Sequence, residues 1–261
     1  MKKILKTIFE KQFNLVGFCA FEDVLPLLKC NKAIDFEAKG VICCIFPYER
    51  LKGEMSSYAQ AEDYHKKAEC LMKNALDEVR SKFTQNKFVG FCDSSPINEV
   101  KTAALCALGV IGKNNLIITK EYGSFVHICT VVTDLDFETE GNIQSCIDCG
   151  ICIESCPTKA LKNNGFDKER CISHISQKKG DFSEFEKECF LKGNSIWGCD
   201  ICINVCPMNK KIAVAGDNRI ILNLNELENM TNKEFKEKYG KYAFAWRGKQ
   251  PLIRNIKTKS N

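Results

Sequence analysis

The chain opens with "MKKILKTIFEKQFNLVGFCAF", where apolar residues first recur at threes and fours and then run together. Residues 1–30 therefore read as a helix followed by the strand-like run "NLVGFCAF". A second apolar run, "GVICCIFPY" (Gly40–Tyr48), is a candidate strand stopped by Pro47. From Ser57 to Phe83 the pattern turns helical, with Tyr58, Tyr64, Ala68, Leu71, Ala75, Val79 and Phe83 as the apolar face. "FVGFCD" (Phe88–Asp93) is a short buried strand ending on a carboxylate. "NEVKTAALCALG" is a helix closed by Gly109 at its C-cap, and "NNLIIT" and "SFVHICTVVTDL" are strands. This alternation predicts an α/β (or α+β) domain over residues 1–140. A cysteine-rich block at 141–212 follows, organised around metal rather than an apolar core. Residues 213–261 begin with apolar "RIILNL", continue into a helix "TNKEFKEKYG" capped by Thr231, and are expected to pack back on the first domain.

Composition adds one anomaly. Apolar content of 44% and charged content of 27% are ordinary for a soluble globular protein, but 17 cysteines are not. The N-terminal run is interrupted by Lys6, Glu10 and Lys11, so neither a signal peptide nor a membrane anchor is expected. Nothing elsewhere approaches the roughly 18 apolar residues of a transmembrane helix. A cytoplasmic protein follows, and a reducing compartment excludes a disulfide scaffold. Cys43, Cys44, Cys92, Cys106 and Cys129 lie in apolar surroundings and read as small buried hydrophobes.

The remaining cysteines form two runs, "CIDCGICIESCP" (Cys146–Pro157) and "CDICINVCP" (Cys199–Pro207). The first is the C-x2-C-x2-C-x3-C-P arrangement of bacterial ferredoxins, in which three thiolates cap one four-iron cube and the fourth serves the other. Zinc also uses C-x2-C pairs, but four cysteines in eleven residues followed by proline fit a cube better. Crossed ligation places Cys146, Cys149, Cys152 and Cys206 on one cube. Cys156, Cys199 and Cys202 fall on the other, which is one thiolate short. Cys171 and Cys189 are the candidates, and spacing does not choose between them. Two cubes of about −2 each, thiolates included, reduce the formal charge of +5 to about +1. Global charge is thus poor support for RNA binding. A basic C-terminal segment with Arg247, Lys249, Arg254, Lys257 and Lys259 is the better candidate for phosphate contacts.

Beyond the cysteines, "YAQAEDYHK", "CDSSPINE", "LGVIGKNNLII", "EYGSF", "TDLDF", "CISHISQKKG", "IWGCDICINVCPMN" and "WRGKQPLIRN" resemble the epoxyqueuosine reductases. These are cobalamin-dependent, two-cluster enzymes that complete the tRNA base queuosine. The resemblance runs over roughly residues 40–257. It implies that Cys171 is the eighth ligand and Cys189 an ordinary cysteine. It also implies an N-terminal cobalamin-binding domain joined to a ferredoxin-like domain with two [4Fe-4S] clusters. Base-off cobalamin would lie between the first domain and the second cube, contacted by Tyr58, Ile117, Ser124, Ile128, Gly198 and Ile201. Electrons from a ferredoxin- or flavodoxin-type donor would pass through both cubes to the cobalt. Asp93 is placed as the proton donor, and expulsion of an epoxide oxygen does require an acid. Its position after Phe91 and Cys92 predicts a desolvated carboxyl with a raised pKa, while Ser95 takes the helix-capping role.

"DYHKKA" superficially resembles the D-x-H-x-x-G run of proteins that ligate cobalt through histidine. Ala68 replaces the glycine, and His65 is read as structural. His127 is read as a packed core residue, and His174 has no evident partner in the sequence. Two features depart from the family pattern: Val110 stands where the family has Trp, and the chain stops at Asn261, where full-length members continue into tRNA-holding helical repeats. A corrinoid reductase of a small molecule and a non-catalytic electron carrier are the rival readings.

Overall fold

The computed structural model describes residues 1–28, 34–216 and 220–260; Arg219, at the start of "RIILNL", and Asn261 lie outside them. Two compact units are present, one of residues 1–47 and 65–148, the other of 48–64 and 149–261.

In the first unit, α1 (Lys2–Glu10) buries Leu5, Ile8 and Phe9, the one-turn spacing of an amphipathic helix. Strands β1 (Leu15–Ala20) and β2 (Gly40–Pro47) follow. The short α2 (Ser57–Gln60) belongs to the other unit, and α3 (Tyr64–Lys82) returns to this one apart from Tyr64. β3 (Phe88–Cys92), α4 (Glu99–Leu105), the two-residue strands β4 (Val110–Ile111) and β5 (Ile117–Ile118), and β6 (Val126–Thr133) complete it. The main sheet has the order β1-β2-β6-β3, and every pairing is antiparallel. The helix–strand alternation is therefore real, but the class is α+β.

Helices cover both faces of the sheet. On one, α3 presents Ala68, Met72, Ala75, Leu76 and Val79, and a Cβ at Gly90 would meet Met72 and Leu76. α1 lies beside α3, tied by a Lys11–Glu78 ion pair of 2.7 Å. On the other, α4 rests so closely on β1 that a Cβ at Gly17 would be 2.2 Å from the Cys106 carbonyl oxygen. Double coverage explains why β2 reads as an uninterrupted apolar run, buried from Gly40 to Phe46. Cys43, Cys44, Cys106 and Cys129 are fully buried as expected, and Cys92 is half-buried.

Two helix boundaries differ from expectation. The helical pattern from Ser57 to Phe83 breaks at Ala61, which is extended (φ −76°, ψ 168°), because residues 48–64 fold with the second unit. α4 ends at Leu105, and its left-handed residue is Ala107 (φ 57°) rather than Gly109. Gly109 is needed for another reason: a Cβ there would be 2.6 Å from the Ile118 carbonyl oxygen.

The second unit continues with α5 (Ile151–Glu154), a hairpin of β7 (Leu161–Lys162) and β8 (Gly165–Phe166), α6 (Ile172–Ser176), α7 (Glu184–Leu191), α8 (Ile201–Asn204), α9 (Leu224–Asn229), α10 (Asn232–Tyr239) and α11 (Lys249–Ser260). The capping role of Thr231 is present: its hydroxyl accepts from the Glu234 N–H, and the Glu234 carboxylate accepts from the Thr231 N–H.

The C-terminal segment packs on residues 48–64, a stretch of the expected first domain (1–140) that folds with the second unit. Leu222, Leu227, Phe235, Tyr239, Phe244, Leu252 and Ile253 form a core with Met55, Ala59, Ile196 and Trp197, all inside the second unit. The cysteine block is thus not organised by metal alone, since this apolar core supports it. No helix among the described residues is long and apolar enough to cross a membrane.

Candidate functional site

The two cysteine runs fold alike. In the first, Ile153 N–H donates to the Gly150 carbonyl at 2.9 Å and Cys156 N–H to Ile153 at 3.3 Å. In the second, Ile203 donates to Asp200 at 3.1 Å and Cys206 to Ile203 at 3.3 Å. α5 and α8, which carry Cys152 and Cys202, pack against each other. The first loop turns through left-handed Asp148 (φ 54°) and Gly150 (φ 74°). Cys146, at the end of the first unit, donates its N–H to the Ile111 carbonyl at 3.0 Å. No disulfide joins any described cysteine. Among the described residues, no three His, Cys, Asp or Glu side chains are grouped to chelate a single ion.

The electrostatics identify which thiols are neighbours. Burial pushes the Cys199 thiol up to about 11, and Cys171 and Cys156 are close enough to add to the rise against an opposing backbone N–H from Ile201. Burial also raises Cys156, but N–H groups of Leu161, Ala160 and Thr158 and the Thr158 hydroxyl outweigh it, and its pKa is lowered. Donors gathered on a sulfur favour the thiolate, the form that binds iron. Cys189 is 1% exposed, packed with Ile172, Ile175 and Phe190. These surroundings fit a cluster-bearing donor set at Cys156, Cys171 and Cys199 and a core role for Cys189.

A cleft of about 380 Å³ in the second unit is lined by Ser56, Cys199, Asp200, Ile201 and Asn204, with Arg50 beside them. Asp200 accepts from the Ser57 N–H at 2.6 Å, tying the second cysteine run to residues 48–64. Gly198 (φ 70°) lies against the same segment, and a Cβ there would be 2.0 Å from Ser56 Oγ and 3.2 Å from the Tyr58 ring. Burial, then the nearby Asp200 charge, push the Tyr58 phenol up. Of the expected corrin contacts, Tyr58, Gly198 and Ile201 therefore share one neighbourhood. Ile117 (3% exposed) and Ser124 (5%) are buried, Ile117 in the core of the first unit, and Ile128 is half-buried against that core.

Asp93 follows β3 with a positive φ of 61°. Its side chain is 62% exposed, not desolvated as its neighbours led one to expect, and its Oδ2 lies 3.3 Å from His65 Nε2. β3 ends at Cys92, so the carboxylate escapes the sheet's burial. Asn98 caps α4 by accepting from the Lys101 N–H at 3.0 Å, and Ser95 instead accepts from Ile97 at 3.3 Å. The sequence reading of His65 as structural did not anticipate this pairing with Asp93, 28 residues away in sequence. His127, on β6, faces Phe46 at 5.1 Å between ring centroids. Burial, followed by the charges of Lys67 and His65, pushes its pKa down to about 3. His174 has a partner after all, Glu169 at 3.5 Å.

The C-terminal cations are occupied internally. Lys249 is 9% exposed and donates to the carbonyls of Leu227 at 3.0 Å, Glu228 at 3.3 Å and Met230. Arg254 donates to Ser176, Lys178 and Gly180 and stacks 3.7 Å from the Phe182 centroid; burial pushes its pKa down to about 10. Lys259 donates to the carbonyls of Phe190 and Gly193, Lys257 pairs with Glu228, and Arg247 stacks on Trp246. Lys249, Arg254 and Lys259 are thus internal ties rather than a phosphate-binding segment.

Comparison with known proteins agrees with this geometry. The family described as a 4Fe-4S double cluster binding domain matches residues 145–209. An epoxyqueuosine reductase of Lactococcus garvieae is 34% identical over 217 residues, covering 80% of this chain and 61% of that protein. One of Atelocyanobacterium thalassa is 32% identical over 216 residues, covering 75% and 68%. A crystal structure of epoxyqueuosine reductase with an epoxyqueuosine-modified tRNA-Tyr stem loop superposes with a TM-score of 0.81, 24% identity and coverage of 99% of this chain and 80% of that one; at that identity it supports the fold. The chain spans about three-fifths of the Lactococcus protein's length. With the doubled cysteine fold in place and two-thirds of the Atelocyanobacterium protein matched at this identity, the chain belongs to the epoxyqueuosine reductase family.

Proposed function

We propose that this chain is a cytoplasmic iron–sulfur and cobalamin-dependent reductase that converts epoxyqueuosine to queuosine in tRNA. The observation that carries the reading is the pairing, on one chain, of a doubled cysteine fold with a carboxylate held out of the sheet at Asp93. In this reading Cys146, Cys149, Cys152 and Cys206 hold one [4Fe-4S] cluster. Cys156, Cys171, Cys199 and Cys202 hold the other, a reading supported by the nearness of Cys171 and Cys156 to Cys199.

Tyr58, Gly198 and Ile201, with Ile128, Ile117 and Ser124, are assigned to base-off cobalamin. Nε2 of His65 is engaged by Asp93, which suits a cofactor that takes no lower histidine ligand. Cobalamin, when bound, supplies a low-valent metal able to reduce an epoxide-bearing ring. The protein's own contribution is the proton: Asp93 protonates the oxygen as it leaves. An external one-electron donor of ferredoxin or flavodoxin type feeds the clusters, and tRNA carries the substrate.

The test is queuosine formation from epoxyqueuosine tRNA, using anaerobic protein loaded with both clusters and cobalamin and a strong one-electron reductant. Product supports the reading. Its absence from fully loaded protein moves the assignment to a small-molecule corrinoid reductase.

A further inference from the structure

Reduction of an epoxide to an alkene breaks two C–O bonds, forms one C=C bond and releases the oxygen as water. It consumes two electrons, delivered from the one-electron donor through the clusters, and two protons. A single carboxyl holds one proton. Asp93 must therefore be recharged within each turnover or be helped by a second group.

We infer that His65 is the positioning residue of Asp93 and the relay through which Asp93 regains its proton, so that the pair supplies both protons. The inference rests on the proposed function. His65 Nε2 and Asp93 Oδ2 are 3.3 Å apart, within reach of a proton transfer that tightens when a ligand is present. Asp93 takes the left-handed conformation (φ 61°), which Asp enters more readily than most residues and which turns its carboxylate out of β3 beside His65. Both groups are reachable: the imidazole is 42% exposed and the carboxylate 62%, so the ring can take protons from solvent and pass them inward.

The charged groups around the pair favour this division of labour. Lys67, two residues on in α3, and His127 from β6 share electrostatic influence with His65 and Asp93, which itself follows β3. Burial and the Lys67 charge keep His127 neutral through the physiological range, so it does not compete for the proton. Lys67 is drawn to the Phe46 ring, 5.5 Å from its centroid.

The experiment has two arms on protein loaded with both clusters and cobalamin. In the first, ring signals of the three histidines are titrated by nuclear magnetic resonance in the parent and in Asp93→Asn. The His65 midpoint is expected to move to lower pH on loss of the carboxylate, while that of His174 stays. An unmoved His65 midpoint overturns the couple, whatever the substrate. In the second arm, His65→Gln should lower kcat on the order of 10²-fold with KM unchanged, and imidazole in the buffer should partly restore His65→Ala. Parent-like turnover and pH profile in His65→Gln overturn the relay. Should the parent itself form no queuosine, the substrate reading fails, and the titration alone decides whether the proton-sharing pair exists.

Discussion

At Asp93 the chain leaves β3 through a positive φ, and that one residue separates two kinds of carboxylate. A carboxyl inside the sheet would be kept protonated by desolvation alone; this one is exposed and has a partner in His65. The apolar run "FVGFC" predicts the strand correctly, but periodicity cannot say that burial ends at its last residue. Asp93→Asn is expected to retain clusters and cobalamin and lose turnover by about 10²–10⁴-fold. Iron content, the corrinoid spectrum and single-turnover kinetics check this together. His127 offers a pH test. Its folded pKa is pushed below the unfolded value, so the unfolded chain binds the extra proton, and stability falls as pH drops from about 6.5 toward about 3. His127→Phe should flatten the loss of thermal midpoint between pH 7.5 and 5.5. An equally steep loss in the variant would show that His127 carries none of it.

Elements built on local chemistry were legible in the sequence. The doubled cysteine loops follow their spacing, and α10 follows its capping box at Thr231 and Glu234. What stayed hidden is long-range. "WRGKQPLIRN" looks basic and exposed, yet Asn255 is fully buried and donates to the carbonyls of Ser176 at 2.8 Å and Ile196 at 2.7 Å. Arg254 reaches the same turn after α6, across 74 or more residues of sequence. Ties of that span are beyond the reach of any window. The position of Cys189 on α7, against Ile172 and Phe190, was likewise invisible to spacing. Cys171→Ser should abolish one cluster's signal in electron paramagnetic resonance and lower iron from about eight to about four per chain. Cys189→Ser should keep both clusters and lose only packing, on the order of 1 kcal/mol. The reverse pattern would reassign the ligand.

For the whole molecule the question is where its positive charge is spent. The formal +5 falls to about +1 once two cubes are counted. Of the five C-terminal cations, Lys249 and Lys259 meet backbone carbonyls near the ends of α9 and α7. Those are groups that a helix leaves unpaired and that attract cations. Replacing either should therefore act on folding before it acts on RNA. Lys249→Met strands carbonyls of Leu227 and Glu228 without this donor and should cost about 1–3 kcal/mol, read as a lower thermal midpoint. Binding of epoxyqueuosine tRNA by the folded variant should keep the parent's dependence on salt. If Lys249 instead neutralised a phosphate, its removal would flatten log K against log salt by roughly 0.7–0.9. A flattened slope with an unchanged thermal midpoint would return Lys249 to the nucleic-acid surface and undo its assignment as an internal tie.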